Sequence, residues 1–331
     1  MKTELPSGTT SPALTGATAA NAASRSANRP SASRAVIGAC LQWLGAVAGF
    51  LVSFFIAALI LPLGKTLMEA TPPTGILSTP AALLFSGAVN ALILVWAGRR
   101  SALRGAGMWM QLLVLSFGAQ VFMTQIETAY FISAFPLLHG NFEVYGIVAR
   151  GLLSSLMFTL LVTWIVGGFS KKPRGQALYE VTADRAVKAG SWLAAIYVVL
   201  YLLFGYYVAW QSPELRHFYG GPSELNSLFA QWGQTFMDRP ELAVFQYFRG
   251  ALWMLCLIPL FKHYAGKRGE LVILSALALG LLPTVELTFA NPLMPAAVSA
   301  RHFVEVSIST GIFGALCAWF VPRETQRAAS S

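Results

Sequence analysis

The sequence predicts an all-α polytopic membrane protein: eight transmembrane helices arranged as two parallel four-helix repeats, with the N and C termini cytoplasmic. Three observations predict it. The 331 residues are 56% hydrophobic and only 11% charged, where a soluble domain carries about 25%. Several uncharged apolar runs reach the roughly 20 residues that cross a bilayer core. Lys and Arg fall in alternate loops, 17 of the 23 on one side, which by the positive-inside rule is the cytoplasmic side. Soluble enzyme folds are excluded, and the net charge of +9 is a topology signal that implies no nucleic-acid partner.

Residues 1–34, which include GTTSPALTGATAANAASRSANRPSAS, hold almost no bulky apolar groups. Such a segment cannot offset the entropy of ordering and reads as a disordered cytoplasmic tail. It is too long and too weakly hydrophobic for a signal peptide, and the run after it has the length of a true span. The expected spans are 36–62, 81–98, 107–132, 146–169, 190–210, 244–262, 270–289 and 297–321. Residues 35–169 then form the first repeat, 170–189 a basic cytoplasmic connector, 190–322 the second repeat and 323–331 a cytoplasmic tail.

The repeat rests on four matches in the same order. LLVLSFGAQVFMTQIE 112–127 aligns with LVILSALALGLLPTVE 271–286, which sets Ser116 on Ser275 and Glu127 on Glu286. FSGA 85–88 aligns with FRGA 248–251, SSLMFTLLVTWIV 154–166 with STGIFGALCAWFV 309–321, and WLGAV 43–47 with WLAAI 192–196. An even number of spans per half gives the halves one orientation, related by an axis along the membrane normal. One insertion breaks the symmetry. In 220–238, Leu225, Leu228, Phe229, Trp232 and Phe236 recur at helical spacing and predict an amphipathic helix on the outer surface.

Charge inside the spans marks the candidate site. Glu127 lies 20 residues into the third span, roughly 30 Å along a helix, and Glu286 roughly 24 Å into the seventh. Arg150 and Arg249 open the fourth and sixth spans from outside, and Arg301, His302 and Glu305 open the eighth. All seven fall at one level, in the outer third of the bilayer. Ser116, Gln120, Thr124 and Glu127 form a polar stripe on one helix, and Arg301, His302 and Glu305 share a helix face. Charge in lipid is costly, so these groups are expected to face one polar vestibule and to pair there.

Three functions use such a site. In an enzyme acting on an anionic or lipid-linked substrate, His302, Glu305, Glu127 and Glu286 are the candidate catalytic groups. Arg150, Arg249, Arg301, Gln120 and Thr124 are then the candidate substrate-binding groups. A solute or ion transporter is the alternative, and a structural or partner-binding membrane protein the third reading. A divalent metal on Glu127, Glu286, His302 and Glu305 is disfavoured by the three neighbouring Arg and by the lack of HExxH. No Walker loop, GxSxG or pair of intramembrane aspartates occurs. The cysteines Cys40, Cys256 and Cys317 have no metal spacing and read as packing residues. Asn90 reads as interhelical glue. The expected location is a bacterial-type inner membrane, with membrane lipid as the constant partner.

Overall fold

The computed structural model describes residues 32–70, 72, 75–138 and 141–325. Most of the expected N-terminal tail, residues 326–331 and His139 lie outside the described residues. The chain falls into two compact units, 1–41 and 42–331. The described part of the first is the start of helix α1 (Ala32–Ile60). In the second follow α2 (Thr79–Arg99), α3 (Gly105–Tyr130), α4 (Asn141–Ile165), α5 (Ala183–Ala209), α6 (Pro213–Phe218), α7 (Leu228–Asp238), α8 (Pro240–Lys262), α9 (Arg268–Leu281) and α10 (Ala296–Phe320). A short helix, Lys65–Glu69, lies between α1 and α2. The strands among the described residues are β1 (Tyr179–Glu180) and β2 (Arg323–Glu324), paired antiparallel with Tyr179 opposite Glu324. Among the described residues, seven helices, namely α1 to α5, α8 and α10, are long and apolar enough to cross a membrane. The protein is a multi-pass helical membrane protein.

The helix starts follow local chemistry. Thr182 accepts from the Arg185 N–H at 3.3 Å to cap α5, and Ser212 does the same for Leu215 at the start of α6. These bonds satisfy amides that have no partner within the helix. Pro80 and Pro240 stand in the first turns of α2 and α8, where a missing N–H costs nothing.

The segment expected as the seventh span, 270–289, is interrupted. α9 has 14 residues, roughly 21 Å of helix. A turn at 282–284 and a 3₁₀ turn, Val285–Thr288, follow it. Pro283 explains the break: it lacks an N–H and its ring clashes with the preceding turn. The Thr284 hydroxyl donates to the Gly280 carbonyl at 2.8 Å and so satisfies a broken end. Within the insertion, helix covers Leu228–Asp238, so that Leu225 precedes it. Asn90 donates to the Ser86 carbonyl of its own helix at 3.0 Å rather than across to a neighbour.

Close helix contacts need small residues. α9 and α10 approach so tightly that a Cβ on Gly280 would lie 2.7 Å from the Ser307 carbonyl oxygen, and one on Gly314 would run into the Ser275 carbonyl. At the connector end, cations meet the unpaired carbonyls that close each helix. Arg174 donates to Gly98, Ser101 and Val166. Arg185 donates to Phe320 and Val321. Between them the two loops 100–102 and 263–265 exchange backbone bonds. The Ala102 N–H donates to His263 O at 2.8 Å, and the Ala265 N–H donates to Arg100 O at 2.7 Å.

Candidate functional site

The intramembrane charges resolve into two clusters. The first begins with Glu127, near the end of α3, and Arg249 on α8. Arg249 Nη1 donates to Glu127 Oε1 and Nη2 to Oε2, each at 2.7 Å. The Arg249 side chain is 3% exposed and that of Glu127 30%. Such a fork fixes direction as well as distance. Gln246, one turn before Arg249, accepts from its Nη1 at 3.0 Å. The guanidinium lies 5.9 Å from the ring centres of both Phe245 and Trp253. Arg249 Nε and Gln246 Nε2 are buried and have no hydrogen-bond partner among the described residues.

His302 and Glu305 complete this cluster from α10. His302 Nδ1 lies 2.9 Å from Glu305 Oε2, and Nε2 lies 3.0 Å from the Tyr219 hydroxyl. Tyr219 closes α6, and Trp210, Phe218 and Phe131 pack around its ring. Burial, followed by the carboxylates of Glu127 and Glu305, pushes its phenol well above the usual range, so the hydroxyl keeps its proton. With a neutral imidazole, Tyr219 donates to Nε2 and Nδ1–H donates to Glu305. Once Nε2 takes the proton, it donates back to the phenol oxygen. Glu305 also faces Gly205 at the start of the π-helical turn Gly205–Ala209 in α5.

The second cluster lies around Glu286. Gln120 sits in the π-helical turn Phe117–Phe122 of α3 and donates from Nε2 to Glu286 Oε1 at 3.0 Å. Such turns inside α-helices recur at functional sites. Arg150 stands over the Phe54 ring at 5.3 Å, and Phe54 stacks on Phe289 at 6.1 Å. Arg150 and Glu286 lie within electrostatic range, yet no ion pair of 4.0 Å or less joins them.

The structure therefore brings Glu127, Arg249, His302 and Glu305 together, places Gln120, Glu286 and Arg150 in a separate group, and leaves Arg301 outside both. Arg301 is exposed and lines a groove of about 430 Å³ with Ser212, Glu214, Val208 and Val304. The Ser212 hydroxyl, hydrogen-bonded to Glu214, holds that carboxyl below its usual range. Thr124 turns its hydroxyl back onto the carbonyls of Gln120 and Val121 at 2.9 Å. A second groove, of about 580 Å³, lies by Arg185, Lys188 and Trp192. Neither groove includes a residue of the two clusters. Among the described residues no three His, Cys, Asp or Glu converge as metal ligands, and both oxygens of Glu127 are committed to Arg249. Tyr219 and Gln246 are additions to the expected set. Gln246 lies three residues before Arg249, a spacing visible in the sequence; Tyr219 carries no such signal.

No protein-family model, curated protein or solved structure matches the chain. The class is thus defined by fold and site alone: a multi-pass helical membrane protein with two polar clusters among its helices.

Proposed function

We propose that the protein is a membrane-embedded enzyme acting on an anionic or lipid-linked substrate, with Tyr219, His302 and Glu305 as its reacting chain. One observation carries this reading: the hydroxyl–imidazole–carboxylate order at 3.0 and 2.9 Å. A nucleophile within hydrogen-bond reach of a base, which a third group orients, is the shared geometry of activated-hydroxyl enzymes. Tyr219 Oη attacks the electrophilic phosphorus or carbonyl carbon as Nε2 takes its proton. Glu305 steadies the imidazolium, and the leaving group departs with that proton; Nε2 then deprotonates a water that cleaves the tyrosyl ester and restores the phenol. Such general-base help contributes about 10²- to 10⁴-fold. Arg249 Nε and Gln246 Nε2, which lack acceptors among the described residues, are the donors this reading assigns to an anionic oxygen.

In this reading α9 and its 3₁₀ turn make an eighth, shortened crossing, both termini are cytoplasmic and the site faces outward from a bacterial-type inner membrane. The loop distribution of Lys and Arg supports this orientation. A test that needs no known substrate uses an arylsulfonyl fluoride, which labels activated phenols. Tyr219 is expected to react faster than the more exposed Tyr145 and Tyr207, and His302→Gln to abolish the difference. Labelling that follows exposure alone, unchanged in His302→Gln, overturns the reading.

A second reading, transport, is favoured by the reciprocal backbone bonds of 100–102 with 263–265. The match of 85–88 to 248–251 continues without a gap to set these two loops opposite each other. Each bond then maps onto the other, as a two-fold axis between parallel repeats requires, and that architecture is common in transporters. Substrate-independent labelling of Tyr219 separates the two readings.

A further inference from the structure

The geometry points to Glu286, Gln120 and Arg150 as a second site that takes a zwitterion, a primary ammonium joined by a short link to a phosphate or carboxylate. This goes beyond the enzyme reading and uses none of its residues. Glu286 is exposed and accepts one hydrogen bond, from Gln120, which leaves its second oxygen unpaired among the described side chains. Arg150 makes no hydrogen bond to a described residue and stands over the Phe54 ring. Opposite charges this close, both short of partners and more than 4.0 Å apart, are arranged to receive a ligand of opposite ends: the ammonium on Glu286, the anion on the Arg150 fork. Phe54, under Arg150, stacks on Phe289, and the pair offers an ammonium an aromatic face.

The repeat proposed above gives the reason for the opening. Glu286 corresponds to Glu127, but the position of Arg249 is held by Ser86. Its hydroxyl donates to the Val285 carbonyl at 3.4 Å, so the helices still meet there without a guanidinium. Glu127 has its cation from the protein, and Glu286 does not.

The ligand chemistry occurs both as the phosphatidylethanolamine headgroup and as free zwitterions, and native mass spectrometry of the detergent-purified protein separates them. Phosphatidylethanolamine is expected to be retained about tenfold over phosphatidylcholine, whose quaternary ammonium cannot donate to Glu286. Glu286→Gln should remove that preference, and Arg150→Gln should weaken both lipids. Phe54→Leu, which keeps both charges but removes the ring under Arg150, serves as a second variant and should weaken retention of both lipids, and an unchanged melting profile in lipid-free detergent confirms folding. If free O-phosphoethanolamine competes, the ligand is soluble; if it fails while the lipid preference holds, the ligand is the lipid. Equal retention of both lipids together with no binding of free phosphoethanolamine, or a preference that survives Glu286→Gln, overturns the assignment.

Discussion

Arg249→Met should be among the more destabilising single substitutions in the bundle, and its partner substitution should repair it. The fork to Glu127 has two bonds of 2.7 Å, with Arg249 3% exposed. Removing one member of a buried pair leaves a charge without compensation, at a cost of about 3–5 kcal/mol. Glu127 is 30% exposed, so solvent relieves part of the cost for Arg249→Met, and the lower end applies. Glu127→Leu strands the more deeply buried partner, which then keeps Gln246 and two aromatic faces, and should cost more. At roughly 2–4 °C per kcal/mol for chains of this order, the single variants should melt roughly 6–20 °C below wild type. The double variant Glu127→Leu/Arg249→Met replaces the pair with apolar volume and should recover most of the loss, a coupling of about 2 kcal/mol or more. Thermal unfolding in one detergent, run as a double-mutant cycle, measures it. Additive losses in the double variant would refute the claim that the two charges stabilise each other.

Gly314→Ala should destabilise by about 1–3 kcal/mol, read as a fall in melting temperature, because its Cβ meets a backbone carbonyl that cannot move aside. Arg174→Gln should cost about 1–3 kcal/mol and speed proteolysis of the connector, since three helix-end carbonyls lose a cationic donor. His263 lies beyond the end of α8, and burial, then Lys262, hold its imidazole below the ordinary 6.5. Protonation therefore favours the unfolded chain: the contribution is complete above about 6.5 and is lost as pH falls through the depressed value. Melting at pH 5 should drop further in wild type than in His263→Gln, and equal drops would assign the acid sensitivity elsewhere. A green fluorescent reporter at the C terminus should fluoresce in cells, as a cytoplasmic end requires, and a phosphatase reporter there should stay inactive.

Hydrophobic length made the seven long helices legible, because a bilayer-length apolar run has few other folded states. The same criterion read 270–289 as one unbroken helix. It counted apolar residues and passed over Pro283, whose backbone chemistry outweighs the hydropathy of its neighbours. The depth assigned to Glu286 fell with it, since a uniform rise no longer applied past Leu281. Within the site, the pairing of His302 with Glu305 was readable from a three-residue spacing on one helix. The partner of each glutamate was not, because Arg249 reaches Glu127 across 122 residues of chain and Gln120 reaches Glu286 across 166. Arg301 shows the limit of reasoning from depth alone. It shares a level with His302, but one residue along a helix turns a side chain about a quarter of the circumference away.

The two loops that meet through Ala102, His263, Ala265 and Arg100 are joined by peptide groups alone. A seam of main chain carries no memory of which side chains it was built with. On the duplication proposed above, each half is free to drift while this join stays the same. Ser86 and Arg249 are, on that proposal, two descendants of one position. The fork at Glu127 and the proposed open site at Glu286 would then be two fates of one chamber, reached without renegotiating how the halves hold together.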